Sequence, residues 1–478
     1  MVYLENWQKY QWNSPGTSDI CMTMGLHAQS GRAKLLPIEV LTSPFVRFAR
    51  MEAAGGVLLL ATTLAALAWA NSPWYQSYYA LWSGNFSVGL GRFVLTETRL
   101  QWIDDGLMAI FFFLVGLEIK REILIGELSS LKLAAFPLIS AIGGTIVPAL
   151  FYVALNHGGP AQKGWGIPMA TDIAFALGVL VVLGKRVPTS LKVFVTALAI
   201  VDDILSIAVI AVFYTHEIHW VSLALGFGGI LVSAAANRMG IRQPVIYGLI
   251  GLGVWFAVLE SGVHATLAGV LLGFTIPAQT YIDREQFLKR SRWLIDRFER
   301  AGPGSLEEHS ALHSLETQCE LIEPPLHRIE HRLQPWVGFV VMPLFAFANA
   351  GVRIVGHVAE AARHPVTWGV VLGLLLGKPM GISLFAWLST KIRFAVRPAD
   401  TTWWQIVSAS SLCGVGFTMS LFIATLAFGE GYLLDMAKIG TLAASAWASI
   451  CGAVLLTIRT GRTRLEVTGS GEISSEAA

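Results

Sequence analysis

Long apolar runs broken by short polar stretches dominate the chain. A membrane-spanning helix needs roughly 20 mostly apolar residues. Twelve runs approach that length, over approximately 51–70, 103–118, 133–155, 168–183, 189–214, 219–236, 245–259, 262–278, 335–351, 366–390, 404–428 and 435–458. Backbone groups in lipid must be hydrogen-bonded within their own segment, which helices achieve. The pattern therefore predicts an all-α polytopic membrane protein of about 12 transmembrane helices over residues 51–458. Two connections carry a pattern of their own. Residues 84–96, "GNFSVGLGRFVLT", set β-branched and aromatic residues around a Gly-Leu-Gly turn and predict a short hairpin on the outer face. Residues 279–334 are charged, with apolar residues at helical spacing interrupted by "AGPG" and "EPP", and predict two or three short cytoplasmic helices.

Composition agrees. Hydrophobic residues make up 54% of the 478 and charged residues only 14%, against about 25% charged in soluble chains. Mean hydropathy is +0.59. The net charge of +2 gives no basic excess that would point to nucleic acid. Cys21, Cys319, Cys413 and Cys451 are too scattered for a disulfide framework or a zinc site. Lys and Arg separate by side: 27 fall in the segments facing one side of the predicted membrane and 5 in those facing the other. Even without the eight of the long 279–334 loop, the balance puts both termini in the cytoplasm. Residues 1–50 lack the apolar core of a signal peptide and read as a cytoplasmic extension, and 459–478 as a cytoplasmic tail.

Four ionisable residues stand inside the apolar runs rather than at their ends: Asp172 in "IPMATDIAFALGV", Asp202 and Asp203 in "LAIVDDILSIAVI", and Lys378 in "LLLGKPMGISLF". A charge at mid-bilayer costs about 2.5–3.5 kcal/mol on insertion scales, and such residues usually mark an ion or proton path. Structural salt bridges are the plainer alternative. Three acids against one base cannot all be neutralised by pairing, so at least one must be protonated, hydrated or bound to a cation. Asp202 and Asp203 point about 100° apart on a helix. One can face a cation pocket while the other faces a partner helix.

Asp172 follows Pro168 and Thr171. Proline lacks an N–H, and Thr171 or Asp172 can cap a new helix start, so the span is predicted to break near mid-membrane. "SLCGVGFTMSLF", residues 411–422, offers a second weak point inside a long apolar run. The spans within 133–214 and 366–458 thus form two trios with interrupted middle members. The first members carry "GGTIVPA" and "GKPMGIS". Paired interrupted spans are the sequence pointer to an inverted-repeat transporter.

The stretches "ATDIAFALGVL", "ALAIVDDI", "SGVHATLAGV", "PLFAFANAG", "GKPMGISLF" and "LCGVGFTMSLFIA", with "LVGLEIKREI" and "AAFPLISAIGG", occur in order over roughly residues 45–460. In this the chain resembles the NhaA family of bacterial sodium/proton antiporters. That family is itself a standing example of the inverted-repeat plan, so the topology match is not an independent finding. The resemblance implies that Thr171 and Asp172 line the break in the fourth span. It makes Asp202 and Asp203 a central acidic pair, with Asp203 the main cation and proton carrier and Lys378 the partner of Asp202. Glu118, Arg121 and Glu122, with Glu330 and His331, match a cytoplasmic funnel where pH response resides. His264 matches a histidine linked to that response; its plainer reading is an interfacial histidine satisfied by backbone. Asp105, or its neighbour Asp104, matches an acid of the second span. The resemblance also implies the bacterial inner membrane. The 50-residue extension and the long 279–334 loop depart from the family pattern and put the pH set point in doubt.

Na⁺ and Li⁺ are hard cations that take oxygen ligands. Asp203, Asp172, Thr171 and backbone carbonyls at the breaks are the expected donors to the transported ion, and no cofactor is expected. A carboxylate holds either a proton or a cation, and that competition makes exchange. No GxxxxGK[ST] loop is present for ATP. Two other classes compare poorly. An intramembrane aspartyl protease needs two facing carboxylates sharing a proton, and its Gly-x-Gly-Asp pattern is absent because Phe417 follows Gly414-Val415-Gly416. A proton- or sodium-coupled transporter of organic solutes is the closer alternative. A homodimer, joined through the 84–96 hairpin, is expected.

Overall fold

The computed structural model describes residues 54–472, apart from 91–92, 185–186, 216–217, 281, 355 and 399. The expected extension 1–50 and the last six residues of the expected tail lie outside the described residues. Helix α1 (Ala54–Ala70) turns by 113° into α2 (Tyr75–Ser83). Strands β1 (Asn85–Leu90) and β2 (Phe93–Thr98) then pair antiparallel, with Asn85 opposite Thr98 and Ser87 opposite Thr96. The predicted hairpin therefore forms, with its second strand ending two residues later than expected. Thr98 and Gln101 exchange side-chain-to-backbone hydrogen bonds as a capping box, which closes the hairpin onto the π turn Trp102–Leu107 and α3 (Met108–Ile125).

Next come α4 (Leu131–Leu155), a 3₁₀ segment (Pro160–Met169), α5 (Ile173–Leu183) and α6 (Thr189–Phe213). Helices α7 (Trp220–Arg238), α8 (Pro244–Leu259) and α9 (Thr266–Thr275) follow. The 279–334 segment folds as α10 (Arg284–Arg300), α11 (Leu306–Ile322) and α12 (Pro325–Trp336), and a π turn carries α12 into α13 (Met342–Asn349). Helix α14 (Pro365–Leu372) runs through another π turn into α15 (Lys378–Lys391). Helices α16 (Trp403–Leu412), α17 (Phe417–Phe428) and α18 (Tyr432–Glu472) complete the order.

The chain is an all-α membrane protein. Among the described residues six helical runs are long and apolar enough to cross a bilayer, or eight if the two bent pairs are each taken as one span. Four of the twelve expected runs fall short of that test. Helices α8 and α9 have 16 and 10 residues. Helix α3 carries four charges from Glu118 to Glu122, and the π turn at Val337–Val341 precedes the eight-residue α13.

Two crossings hold the centre. Without a hydrophobic drive between helices in lipid, close packing of small residues does the work. Gly143 and Gly144 of α4 meet Gly381 and Ile382 of α15, and Gly377 meets Pro148, all too closely for any Cβ. Gly116 of α3 meets Val270 and Gly273 of α9 in the same way. The largest apolar cluster joins Phe112 of α3, Phe345 of α13 and Phe422 of α17, whose rings lie 5.6 and 6.2 Å from Phe422.

Candidate cation and proton site

The helical stretches stop twice near the centre. After the 3₁₀ segment, Ala170 to Asp172 are non-helical, and Asp172 is the N-cap of α5: its side chain accepts from the Phe175 N–H at 3.0 Å. Between α16 and α17, the residues around Gly414 to Gly416 break the run, and the axis bends by 50°. Freed backbone groups in an apolar interior must find partners, and each break supplies them to the other. The Asp172 N–H donates to the Val415 carbonyl at 2.7 Å, and Thr171 Oγ1 donates to the Cys413 carbonyl at 3.0 Å. Asp172 Oδ2 accepts from the Thr418 N–H at 3.2 Å and from the Thr418 hydroxyl. Ser420 Oγ donates to the Ile167 carbonyl at 2.7 Å. Asp172 thereby caps two helix starts, whose partial positive charge it offsets.

Asp202 and Asp203 lie in the middle of α6, each 1% exposed, and they differ sharply in company. Lys378 Nζ donates to Asp202 Oδ2 at 2.6 Å and to the Met169 carbonyl that ends the 3₁₀ segment, and Lys378 is itself fully buried. Thr145 Oγ1 approaches Asp202 Oδ1 at 3.4 Å. Among the described residues neither oxygen of Asp203 has a hydrogen-bond partner. Asp202, Glu118 and Asp172 act on it with negative charge, and Lys378 opposes them. A buried carboxylate without a partner is strongly disfavoured as a bare anion, so Asp203 is the group in this structure most in need of a proton or a cation. Among the described residues no three His, Cys, Asp or Glu side chains converge as a resident metal site would require.

The second group of sequence candidates separates. Arg121 bonds Glu330 and, at 3.2 Å, Glu122, whose other oxygen accepts from the Glu127 N–H at 3.0 Å. Burial pushes the Glu330 carboxyl above the usual carboxylate range; Arg121 and His327 oppose that push and Glu122 adds to it. Glu118, one helical turn before Glu122, carries a charge felt at both Glu330 and Asp203. His331 is exposed. One residue past Glu330 on a helix, it points about 100° away, and the histidine beside Glu330 is His327, one turn earlier. The i, i+3 spacing of His327 and Glu330 on α12 was the signal available for it. His264 gives Nε2 to the Tyr214 carbonyl at 2.8 Å. It sits at the start of α9, whereas Lys120 bonds the Phe274 and Ile276 carbonyls at the far end, about 15 Å of helix away. His264 is therefore not part of the Arg121 cluster. Sequence reasoning also missed Thr418 as an Asp172 partner; a threonine directly inside the second break was its only mark.

Residues 46–456 match the model of a protein family described as Na+/H+ antiporter 1. A protein of Koribacter versatilis named Na(+)/H(+) antiporter NhaA is 65% identical over 427 residues, covering 89% of this chain and 94% of the relative. One of the same name from Oleidesulfovibrio alaskensis is 47% identical over 428 residues, 88% and 95% of the two chains. One from Helicobacter pylori is 46% identical over 414 residues, 86% and 94%.

Proposed function

We propose how this chain, which belongs to the Na+/H+ antiporter 1 family and exchanges sodium ions for protons, performs that exchange. The observation that carries the proposal is the pair of unpartnered, buried oxygens of Asp203. Asp203 takes a proton from the outside, releases it to the cytoplasm, and binds cytoplasmic Na⁺ or Li⁺ in its place. Thr171, Asp172 and the carbonyls freed at the two breaks supply further oxygens. Twelve spans, with α3, α8, α9 and α13 completing the count, form two inverted repeats whose interrupted members cross at the site. Rocking of one repeat against the other opens the site to each side in turn. The protein sits in the bacterial inner membrane with both termini in the cytoplasm, and the proton gradient drives the cycle. Na⁺-evoked dequenching of a pH dye, in everted vesicles or proteoliposomes across pH, is the test. Cation-dependent proton movement is expected; proton flux evoked only by organic solutes would overturn the reading.

The Arg121, Glu122 and Glu330 cluster, with Glu118 above it, sets the pH response. The buried Glu330 carboxyl holds its proton to higher pH than an exposed one. Glu330→Gln deletes a negative charge beside Glu118 and Glu122 and releases Arg121 to act on them, so the remaining acids give up protons at lower pH. The onset of exchange is expected to move to the acid side by about half a pH unit or more, with the maximal rate near the parent's. The exposed His331→Ala should leave the profile in place. Profiles of initial rate against pH check both; an unmoved Glu330→Gln profile assigns the cluster a purely structural role.

The protein is a homodimer joined through the hairpin. A two-stranded hairpin is marginal alone. Its strands pair only with each other among the described residues, and Phe86 and Val88 are exposed. Pairing with a second copy covers the edge and both side chains. Replacing residues 85–98 with a short Gly-Ser linker is expected to convert dimer to monomer in detergent while exchange persists, as read by light scattering. An unchanged dimer population places the contact elsewhere.

A further inference from the structure

A second buried polar group lies apart from Asp203. Asp104, in the π turn just past the hairpin, is 8% exposed, and its Oδ1 accepts from Asn349 Nδ2 at 2.7 Å. Asn349 is the last residue of α13 and fully buried, yet its Oδ1 has no partner among the described residues. A carboxylate ion has only acceptors and can satisfy half of that amide. A protonated carboxyl adds one O–H donor, and an acid facing an amide closes a two-bond ring: amide N–H to acid carbonyl, acid O–H to amide carbonyl. The unsatisfied Asn349 Oδ1 is the acceptor that ring needs. The amide N–H bond forms in either state, but both polar atoms of the Asn349 amide are matched only when Asp104 carries a proton.

The surroundings favour a proton over a metal cation. Lys438, in the second turn of α18, is buried and acts on Asp104 with positive charge, but makes no ion pair within 4.0 Å among the described residues. An ammonium so placed repels Na⁺, whereas a proton is held by a covalent O–H bond. The other charges that bear on the site are Asp105, whose backbone carbonyl takes the Trp255 indole N–H at 3.0 Å, then Glu97 beyond Asp105, and Asp435 and Glu430 beyond Lys438. Position agrees as well. The hairpin, the C-terminal end of α13 and the first turns of α18 all lie on the outer side in the proposed topology.

We propose that Asp104 and Asn349 form an outer proton-binding station of this antiporter, through which external protons enter on their way to Asp203. The proposal rests on the exchange reading above. In outline, a proton from external water forms the O–H bond of Asp104, the ring with Asn349 closes, and the proton leaves inward as the carboxylate re-forms.

Proteoliposomes of fixed protein orientation test it, with the pH of each compartment varied in turn and Na⁺-evoked proton flux recorded. Lys438→Gln removes a positive charge near Asp104 and is expected to shift the external-pH limb alkaline by about 1 unit, leaving the cytoplasmic-side limb in place. Asp104→Asn keeps an amide able to bond Asn349 and is expected to remove the external limb. The Lys438→Gln shift should also vanish in the Asp104→Asn background. An external limb that Lys438→Gln does not move, that moves equally on both sides, or that still shifts when Asp104 is absent overturns the station. Failure of the exchange reading looks different: the parent itself shows no Na⁺-evoked proton flux. If Asp104→Asn does not fold, the Lys438→Gln shift alone still decides.

Discussion

Asp203→Asn, purified and reconstituted, is expected to show no Na⁺-evoked proton flux above protein-free liposomes, at any pH, while remaining folded. Asparagine preserves the volume and shape of the side chain but can neither release a proton nor carry the charge that binds a cation. Because neither Asp203 oxygen has a partner among the described residues, the substitution leaves no described partner stranded. Removing an unpartnered buried carboxylate is neutral or stabilising, so the melting temperature should hold or rise. Its neighbour supplies the contrast. Asp202→Asn breaks the 2.6 Å pair with Lys378 and leaves a buried ammonium, a loss of about 3–5 kcal/mol. The two variants therefore separate transport chemistry from scaffold: one inactive and stable, the other destabilised. Thermal unfolding followed beside dye dequenching reads both. Near-parental exchange by Asp203→Asn would remove this residue from the mechanism.

How much of this was legible in the residues depends on range. Asp172 as a helix cap follows from local chemistry, a proline four residues earlier and a short acid at a helix start. The hairpin at 85–98 follows from local alternation. The isolation of Asp203 was half legible: an excess of intramembrane acids over bases guarantees one unpaired carboxylate but does not say which. The bonds between the two breaks were not legible. Thr171 to Cys413 and Thr418 to Asp172 span more than 240 residues, and hydropathy carries no trace of such pairing. The choice between Asp104 and Asp105 turns on helical phase inside a π turn. There the extra residue of a π turn shifts the phase, and spacing alone does not say which of the two side chains is turned inward. Helices α3, α8 and α9 are a different case: apolar runs predict spans there, but the charges inside α3 and the short lengths of α8 and α9 keep them below the length and hydropathy a spanning helix needs.

Lys378→Ala has the second largest expected effect, and it separates a proton carrier from a brace. The side chain holds Asp202 and the Met169 carbonyl together where the 3₁₀ segment ends. Truncation leaves Asp202 without a counter-charge, with only hydroxyls such as Thr145 and Thr171 to bond it, so a loss of about 3–5 kcal/mol is expected under either role. The roles part in charge movement. If cation entry at Asp203 loosens the Lys378–Asp202 pair, Lys378 surrenders its proton in each turn, more than one proton leaves per cation bound, and exchange is electrogenic. Surviving exchange in Lys378→Ala should then lose its response to an imposed potassium diffusion potential. Lys378→Arg sharpens the test, because a guanidinium keeps the pair with Asp202 but does not deprotonate in a protein. It should recover part of the lost stability and still be insensitive to voltage. If Lys378 only braces the break between the 3₁₀ segment and α5, both variants retain the parent's voltage response at whatever rate remains, because any proton beyond the one on Asp203 is then carried by another group. Initial rates in proteoliposomes, with and without the diffusion potential, distinguish these outcomes. An unchanged voltage response in both variants would take Lys378 out of the proton count, put the second proton on another acid of the site, and leave Lys378 as the counter-charge that lets Asp202 stay buried beside it.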